Sequence, residues 1–304
     1  MKKILVSNIE THNSKRLDYY LSNEKGQTRS SIQKLIKSGL VYIDNKKTTK
    51  SSHILSNGNT ILIENKKIYK ENFPDLKYIF KDDFLLIIDK PSGQTVHSGI
   101  KTQHNTLAHQ LQNIFPKLIN VGDKGRNGIV HRLDKETSGL LIVALKNSSY
   151  IKMNEIFKNR KIEKNYIALL HGHLMQPQGS IIAPIGRNPK NRTKQILINT
   201  GRKAITEYKL IKKYKNYSLV DINLKTGRTH QIRVHFNSIG HPIVGDKKYG
   251  KSNYKYEQLN RHFLHAYKIK FKHPINQEDL IFSSDLPNDL SRYLDNLNAK
   301  LYFE

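Results

Sequence analysis

The stretch IVHRLDKETSGLLIVA, Ile129 to Ala144, sets the apolar run Leu140 to Ala144 directly behind a charged loop. An apolar run of that length bounded by turn signals reads as a buried strand. The chain therefore needs a sheet with this strand in its core and a loop held at the strand's start. In that loop Asp134 lies between the basic residues Arg132 and Lys135. An acid fixed among cations on a scaffold is what a reactive carboxylate requires.

The rest of the body supplies the sheet. KYIF and FLLIID flank the turn Asp82-Asp83. KNYIALLHGHL, SIIAPIG, ITEYKLIKK, YSLVDINLK and FLHAYKIKFKHP read as further strands, the last alternating Tyr267, Ile269 and Phe271 with Lys268, Lys270 and Lys272. Helices are expected after Asn105, with Leu107, Leu111 and Ile114 on one face, and after Ser148 or Ser149, with Met153, Ile156 and Phe157. Another is expected at the C-terminal end, through Leu286, Leu290, Tyr293, Leu294 and Leu297. Many strands with interspersed helices predict an α+β body built on a mixed, mainly antiparallel sheet. The polar, basic segment RNPKNRTK, Arg187 to Lys194, reads equally as an RNA clamp or as a solvated hairpin tip.

The first sixty residues follow a different pattern. RLDYYLS predicts a short helix with Leu17 and Leu21 on one face. Ser30 and Gln33 have capping-box spacing, and Ile32, Leu35 and Ile36 continue a second helix that Gly39 ends. VYID and TILIE are strands. Lys34 and Lys37 on the second helix, with Lys46, Lys47 and Lys50 on the hairpin, make one basic face on a small core. The expected organisation is a module over residues 14–64, a polar linker over 65–77 that carries Lys66, Lys67, Lys70 and Pro74, and a body over 78–304.

Charge narrows the partner. Lys+Arg number 52 against 25 Asp+Glu, a net charge of +27. A composition rich in Asn, Ile and Lys accounts for part of this, but not for the scarcity of acids. A polyanion is the expected partner, because each phosphate neutralised releases counterions. The chain has no cysteine, which excludes disulfides, thiolate metal sites and thiol nucleophiles. The apolar stretch near the start is too short for a signal peptide, and no run is long enough to span a membrane. A cytoplasmic location is expected.

A second charged stretch, KTGRTHQIRVHFNSIGHPIVGD, runs from Lys225 to Asp246. Thr229 is the expected N-cap of a helix with Ile232, His235, Phe236 and Ile239 on its apolar face. Arg228 then lies beside a helix N-terminus, where a cation is disfavoured unless an anion pairs with it. Asp134 is a candidate anion. His230 and Arg233 fall off the apolar face. His235 falls on it, as core histidines do, and His131 stays ambiguous. No His-Glu-x-x-His, P-loop or dinucleotide fingerprint occurs, so neither a metal nor a nucleotide cofactor is expected.

YIFKDDFLLIIDKPSGQTVH, GIVHRLDKETSGLLIVAL, KNYIALLHGHL, LKTGRTHQIRVHFNSIGHPIVGDKKYG and FLHAYKIKFKHP, in that order, resemble the RluA/RluD family of RNA pseudouridine synthases. PIGRNPKNRTK and HPIVGDKKYG look most like its RluD-type large-subunit rRNA branch. RLD…TRSSIQKLIKSGLVYIDNKK…NGNTILIE resembles the small S-four RNA-binding domain. The resemblance implies a cofactor-free isomerase with Asp134 as nucleophile toward the target uridine, at the ribose anomeric carbon or at ring carbon six. Tyr166 would stack on the uracil and is open to a second role as a base. Arg228 would pair with Asp134, Arg132 would fill the gap left by the flipped-out nucleotide, and Ile232 would line the pocket. Lys34, Lys37, Lys46 and Lys47 would contact RNA. The implied partner is large-subunit rRNA or its ribosomal precursor particle, with no membrane and no obligatory protein partner. A tRNA substrate is the first alternative. A non-catalytic RNA-binding assembly factor is the second, and it gives no reason for a carboxylate facing RNA.

Overall fold

The computed structural model describes residues 2–7, 15–63, 73–98, 105–250 and 259–299. The chain divides into two compact units, Met1–Asn72 and Phe73–Glu304. Most of the expected linker, with Lys66, Lys67 and Lys70, lies outside the described residues, as do both limits of the expected module, residues 14 and 64.

The first unit runs β1 (Lys2–Leu5), α1 (Leu17–Lys25), α2 (Arg29–Lys37), β2 (Val41–Ile43), β3 (Lys46–Thr48) and β4 (Thr60–Ile63). Its sheet has the order β1-β4-β2-β3, every pair antiparallel. Leu17 and Leu21 of α1 and Ile32 and Ile36 of α2 are buried against Val41, Ile61 and Ile63. Asp44 and Asn45 both take left-handed backbone angles, as a two-residue hairpin between β2 and β3 requires. The expected capping box does not form, because α2 starts earlier, after Thr28. Gln33 instead donates to buried Asp18 of α1 at 2.7 Å, and Arg16 and Arg29 donate to the same carboxylate. These bonds outweigh burial and hold Asp18 well below the usual carboxylate range. Lys34, Lys37, Lys46, Lys47 and Lys50 are all exposed. Strand β1 was not expected from a segment read only for targeting signals.

The second unit runs β5 (Lys77–Lys81), β6 (Leu85–Lys90), α3 (Leu107–Ile114), β7 (Ser138–Ala144), α4 (Asn147–Lys158), β8 (Ile162–His171), β9 (Gln178–Ile182), β10 (Ile185–Arg187), β11 (Gln195–Leu197), β12 (Ile205–Tyr214), β13 (Tyr217–Leu224), α5 (Gln231–Ser238), β14 (Leu264–Lys272), β15 (Asp279–Ser283) and α6 (Asn288–Ala299). The main sheet has the order β5-β6-β7-β14-β8-β13-β12-β9, with β15 also on β14. Among the described residues only β7 and β14 pair in parallel, so the fold is α+β with a mixed, mainly antiparallel sheet. SIIAPIG splits into β9 and β10 around Ala183-Pro184, and β10 pairs with β11 in a separate hairpin that carries the RNPKNRTK loop at its tip. Helix starts also shift by a residue or two. Thr106, not Asn105, caps α3 with its side chain, and α4 begins at Asn147.

Strand β7 is buried at every position. Leu141 and Val143 pack with Leu86 and Ile88 on one face; Leu140 and Ile142 pack with Leu85, Ile87, Met153 and Phe271 on the other. Burial on both faces explains a continuous apolar run in place of alternation. Each such side chain contributes about 1.5–3 kcal/mol. Gly139 sits where β7 meets β14. A Cβ there would lie 2.3 Å from the Ala266 carbonyl oxygen, so only glycine permits this approach.

Candidate active site

The strand register assembles one row across the sheet. Gly139 of β7 pairs with Ala266 of β14, Ala266 with Tyr166 of β8, and Tyr166 with Ile222 of β13. Tyr166 is thereby set beside the start of β7, where the Asp134 loop enters.

That loop is fastened on several sides. Thr137 N–H donates to the Asp134 carbonyl at 3.1 Å, closing a tight turn. The fully buried Lys90 ammonium donates to the carbonyls of Pro91, Gln94 and Lys135 at 2.7, 3.0 and 3.2 Å. Burial pulls Lys90 down to about 7, against the opposing charges of Glu136, Asp134 and Asp89. Gly93 N–H also donates to the Lys135 carbonyl, and Ser92 Oγ to that of Glu136. From the far side, Arg261 donates to the Glu136 carbonyl and to Ser138 Oγ while gripping Asp289 through two nitrogens. Thr137 Oγ1 lies 2.7 Å from His262 Nε2.

Asp134 faces a cavity of about 570 Å³, a size suited to a flipped-out nucleotide. Arg132, Tyr166, Arg228 and Ile232 line the same cavity. Its other walls include Arg126, Arg160, Lys164 and Lys225.

The cation on Asp134 is not the expected one. Arg233 Nη1 donates to Asp134 Oδ2 at 2.9 Å. The same guanidinium uses Nε and Nη2 to hold both oxygens of Asp246, at 2.7 and 2.8 Å. Arg228 instead donates from Nε to the Lys203 carbonyl. Burial, then neighbouring Arg202 and Arg160, lower its pKa. The reason lies in where α5 begins. The helix starts at Gln231, after His230 in a left-handed conformation, and not after Thr229. Gln231 Oε1 accepts from Arg228 N–H and from Thr226 Oγ1, which fixes the turn. Arg233 then falls in the first helical turn. The dipole argument that demanded an anion for Arg228 applies to it.

The charge state follows from burial and partners. Burial alone would raise Asp134, but His230 and Arg233 outweigh it and hold the carboxyl below its ordinary value. His230 Nε2 lies 3.9 Å from Asp134 Oδ2. Burial takes His230 down to about 4, so it is neutral at pH 7. Arg233, raised by its two carboxylates against burial, is the cation in direct contact with Asp134 at neutral pH. Both neighbours approach Oδ2. Among the described residues, no donor falls on Oδ1.

Burial, then the Asp134 charge, raises Tyr166, so its phenol stays protonated. Arg132 is exposed and makes no hydrogen bond or ion pair among the described residues. Ile232 is buried at the cavity wall. His235 is a core histidine, bonded to Thr206 Oγ1 and the Ala183 carbonyl. His131 Nε2 accepts from Ile142 N–H, which gives it a structural task. Among the described residues, no group of three or more His, Asp or Glu is placed to hold a metal ion, and no helix is long and apolar enough to cross a membrane.

Residues missed in the sequence are Arg233, Asp246 and Lys90. For Arg233 and Asp246 a signal existed. An arginine in a first helical turn and an aspartate shortly after the helix are both costly to bury unpaired.

Residues 84–238 match the family model described as RNA pseudouridylate synthase, and residues 15–61 match the S4 domain. A ribosomal large subunit pseudouridine synthase D of Nitrosomonas europaea is 37% identical over 290 residues, covering 92% of this chain and 83% of the relative. An uncharacterised RNA pseudouridine synthase of Aquifex aeolicus is 36% identical over 286 residues, 90% of each chain. Among solved structures, human RNA pseudouridylate synthase domain containing 1 superposes with a TM-score of 0.57 at 26% identity, covering 74% of this chain and 95% of that one.

Proposed function

Because this chain belongs to the RNA pseudouridylate synthase family, and is thus an RNA-modifying isomerase, we propose that Asp134 is its nucleophile and uridines of large-subunit ribosomal RNA its substrate. The observation that carries this reading is the geometry of one carboxylate. Asp134 lines the cavity with Oδ2 engaged by Arg233, and among the described residues no donor falls on Oδ1.

In this reading the target nucleotide leaves its stack and enters the cavity, at a cost of a few kcal/mol that RNA binding supplies. Arg132, exposed and without a hydrogen bond or ion pair among the described residues, occupies the gap in the RNA. Tyr166 packs its neutral ring on the uracil beside Ile232; its raised pKa favours this platform role over that of a base. Asp134 attacks, the base detaches, turns and rejoins through ring carbon five, and the carboxylate is released. Covalent catalysis of this kind splits one difficult step into easier ones. The proton lost from ring carbon five balances the one gained at ring nitrogen one. Arg228, with Arg160 and Lys225, faces the cavity as a contact for backbone phosphate. The exposed lysines of α2 and β3 give the front module its RNA face, which lends affinity rather than chemistry. The large-subunit substrate rests on the name of the Nitrosomonas relative and on the S4 domain.

Carbodiimide-dependent reverse-transcription stops, mapped on rRNA and tRNA with and without the protein, test the substrate. A protein-dependent stop in large-subunit rRNA is expected; stops confined to tRNA would replace the substrate. Asp134→Asn is expected to abolish the stop while RNA affinity stays near the wild-type value. Retained isomerisation in that variant would remove Asp134 from the chemistry.

A further inference from the structure

We propose that Tyr249 is a positioning residue for the reaction: its hydroxyl holds His230 as an Nε2–H donor turned toward Asp134, and its ring seats the Arg233 guanidinium that pairs with that carboxylate. The inference rests on the reading of Asp134 as nucleophile.

Three contacts meet on Tyr249. Gln195 N–H, at the start of β11, donates to Tyr249 Oη at 2.9 Å. His230 Nδ1 lies 2.7 Å from the same oxygen. The Arg233 guanidinium carbon sits 5.1 Å from the ring centroid, within cation–π range. The segment itself is fixed by Asp246 Oδ1, which accepts from the N–H groups of Lys248 and Tyr249. One carboxylate thus anchors both Arg233 and the tyrosine that stacks on it.

Two arguments favour the Nε2–H tautomer. Gln195 N–H already occupies one lone pair of Oη, so the hydroxyl hydrogen is free to donate to Nδ1. The imidazole, neutral at pH 7, then carries its single proton on Nε2. Nε2 is the nitrogen that faces Asp134 Oδ2 at 3.9 Å. The other tautomer would turn a lone pair toward a carboxylate. The distance is too long for a hydrogen bond, so the N–H acts as a dipole on the carboxylate and leaves Oδ1 untouched. His230 also holds φ 55 and ψ 19, a left-handed conformation rare for a residue with a Cβ. Backbone strain of this kind gathers at functional sites when neighbours over-determine it, and Tyr249 is such a neighbour.

The same residue reaches the basic hairpin. Lys194 Nζ lies 6.0 Å from the Tyr249 ring, and Lys248 Nζ donates to the Thr193 carbonyl at 2.8 Å. The RNPKNRTK hairpin, whose Lys190 and Arg192 are exposed, is therefore one side chain away from the pair that orients Asp134.

The test uses the full chain. Imidazole ¹⁵N shifts of His230 in the wild-type protein are expected to show Nε2 protonated and Nδ1 bare; the reverse pattern overturns the proposal without any variant. Tyr249→Phe keeps the ring and loses the hydroxyl. Its kcat for pseudouridine formation is expected to fall about tenfold, as for one lost hydrogen bond. KM for RNA is expected to hold, because the hairpin keeps its own ladder and the Lys248 contact. Tyr249→Leu, which also removes the ring, is expected to fall about a hundredfold. An unchanged kcat in Tyr249→Phe, or a loss confined to KM, overturns the proposal. A wild-type protein that forms no pseudouridine would instead remove the reading of Asp134, and the ¹⁵N pattern would still decide the tautomer.

Discussion

Arg233→Gln compared with Arg228→Gln separates the cation that the structure pairs with Asp134 from the one that the turn region first suggests. Arg233 is 8% exposed, Asp246 1% and Asp134 16%. Removing one member of a buried ion pair costs about 3–5 kcal/mol, because a charge is left buried without its partner. Glutamine returns one hydrogen bond to a charged group, about 1.5–3 kcal/mol. The net loss of stability is then about 1–3 kcal/mol, read from urea midpoints at pH 7. The rate loss is larger in proportion. Asp134 loses the cation that hydrogen-bonds to it, and burial then raises its pKa against weaker opposition. Loss of one charge-assisted contact at the reacting group corresponds to about a hundredfold in kcat, or ~2.7 kcal/mol. The acid limb of the pH–rate profile should move to higher pH, and raising the pH should recover part of the rate. Arg228→Gln should leave that limb in place and weaken RNA binding instead, since Arg228 sits among cations at the cavity wall. Single-turnover release of tritium from RNA labelled at uridine carbon five measures both variants. A wild-type rate in Arg233→Gln, or the larger kcat loss in Arg228→Gln, would refute the assignment.

Arg160 occupies the position just past α4 where glycine is favoured: φ is 56, and the N–H groups of Lys161 and Arg160 return to the carbonyls of Ile156 and Phe157. Arg160→Gly should therefore raise stability by about 0.5–1 kcal/mol while weakening RNA binding and its salt dependence; a variant that loses stability and keeps RNA affinity would contradict this. Acid should destabilise the fold well above the carboxylate range. Burial holds His262 at about 3 and His230 at about 4, both below the unfolded value of 6.5. The unfolded chain takes up these protons first, so the stability is complete above pH 6.5 and declines as pH falls toward those folded values, by about 2 kcal/mol per histidine at pH 5. Denaturation midpoints that stay flat from pH 7 to 5 would contradict it.

The α+β sheet was legible because apolar period and turn residues act locally. Leu17 and Leu21, Ile32 and Ile36, and the run Leu140 to Ala144 all pack where their spacing implies. The Asp134 loop could be located for the same reason, since it precedes a strand that had to be central. The partner of Asp134 could not be read that way. A periodicity reading places Arg233 off the apolar face of α5, and thus toward solvent. In the fold every residue from Gln231 to Phe236 is buried. A helix covered on all sides carries polar residues only if each finds a partner, and those partners are remote in sequence: Asp134 lies 99 residues from Arg233. Lys90 was hidden likewise, because a lysine beside Pro91-Ser92-Gly93 looks like a solvated turn until three carbonyls from two loops close on it.

The sharing of Arg233 bears on how Asp134, in its proposed role as nucleophile, could be both buried and reactive. A carboxylate gripped through both oxygens by a dedicated arginine is stable but a poor nucleophile, since both lone-pair sets point at N–H groups. Here Asp246 takes that bidentate position and leaves Arg233 one nitrogen for Asp134. Two carboxylates and one guanidinium carry a net charge of −1. The deeper acid thus neutralises the arginine, while the one lining the cavity keeps its anionic character and, among the described residues, an Oδ1 without a donor. His230, neutral and turned by Tyr249, adds a dipole without adding a second cation. Were His230 charged, two cations would converge on Oδ2 and neutralise the carboxylate more fully. The buried arrangement around α5 therefore holds the carboxylate ionised without neutralising it, which is the condition that nucleophilic attack from a protein interior requires.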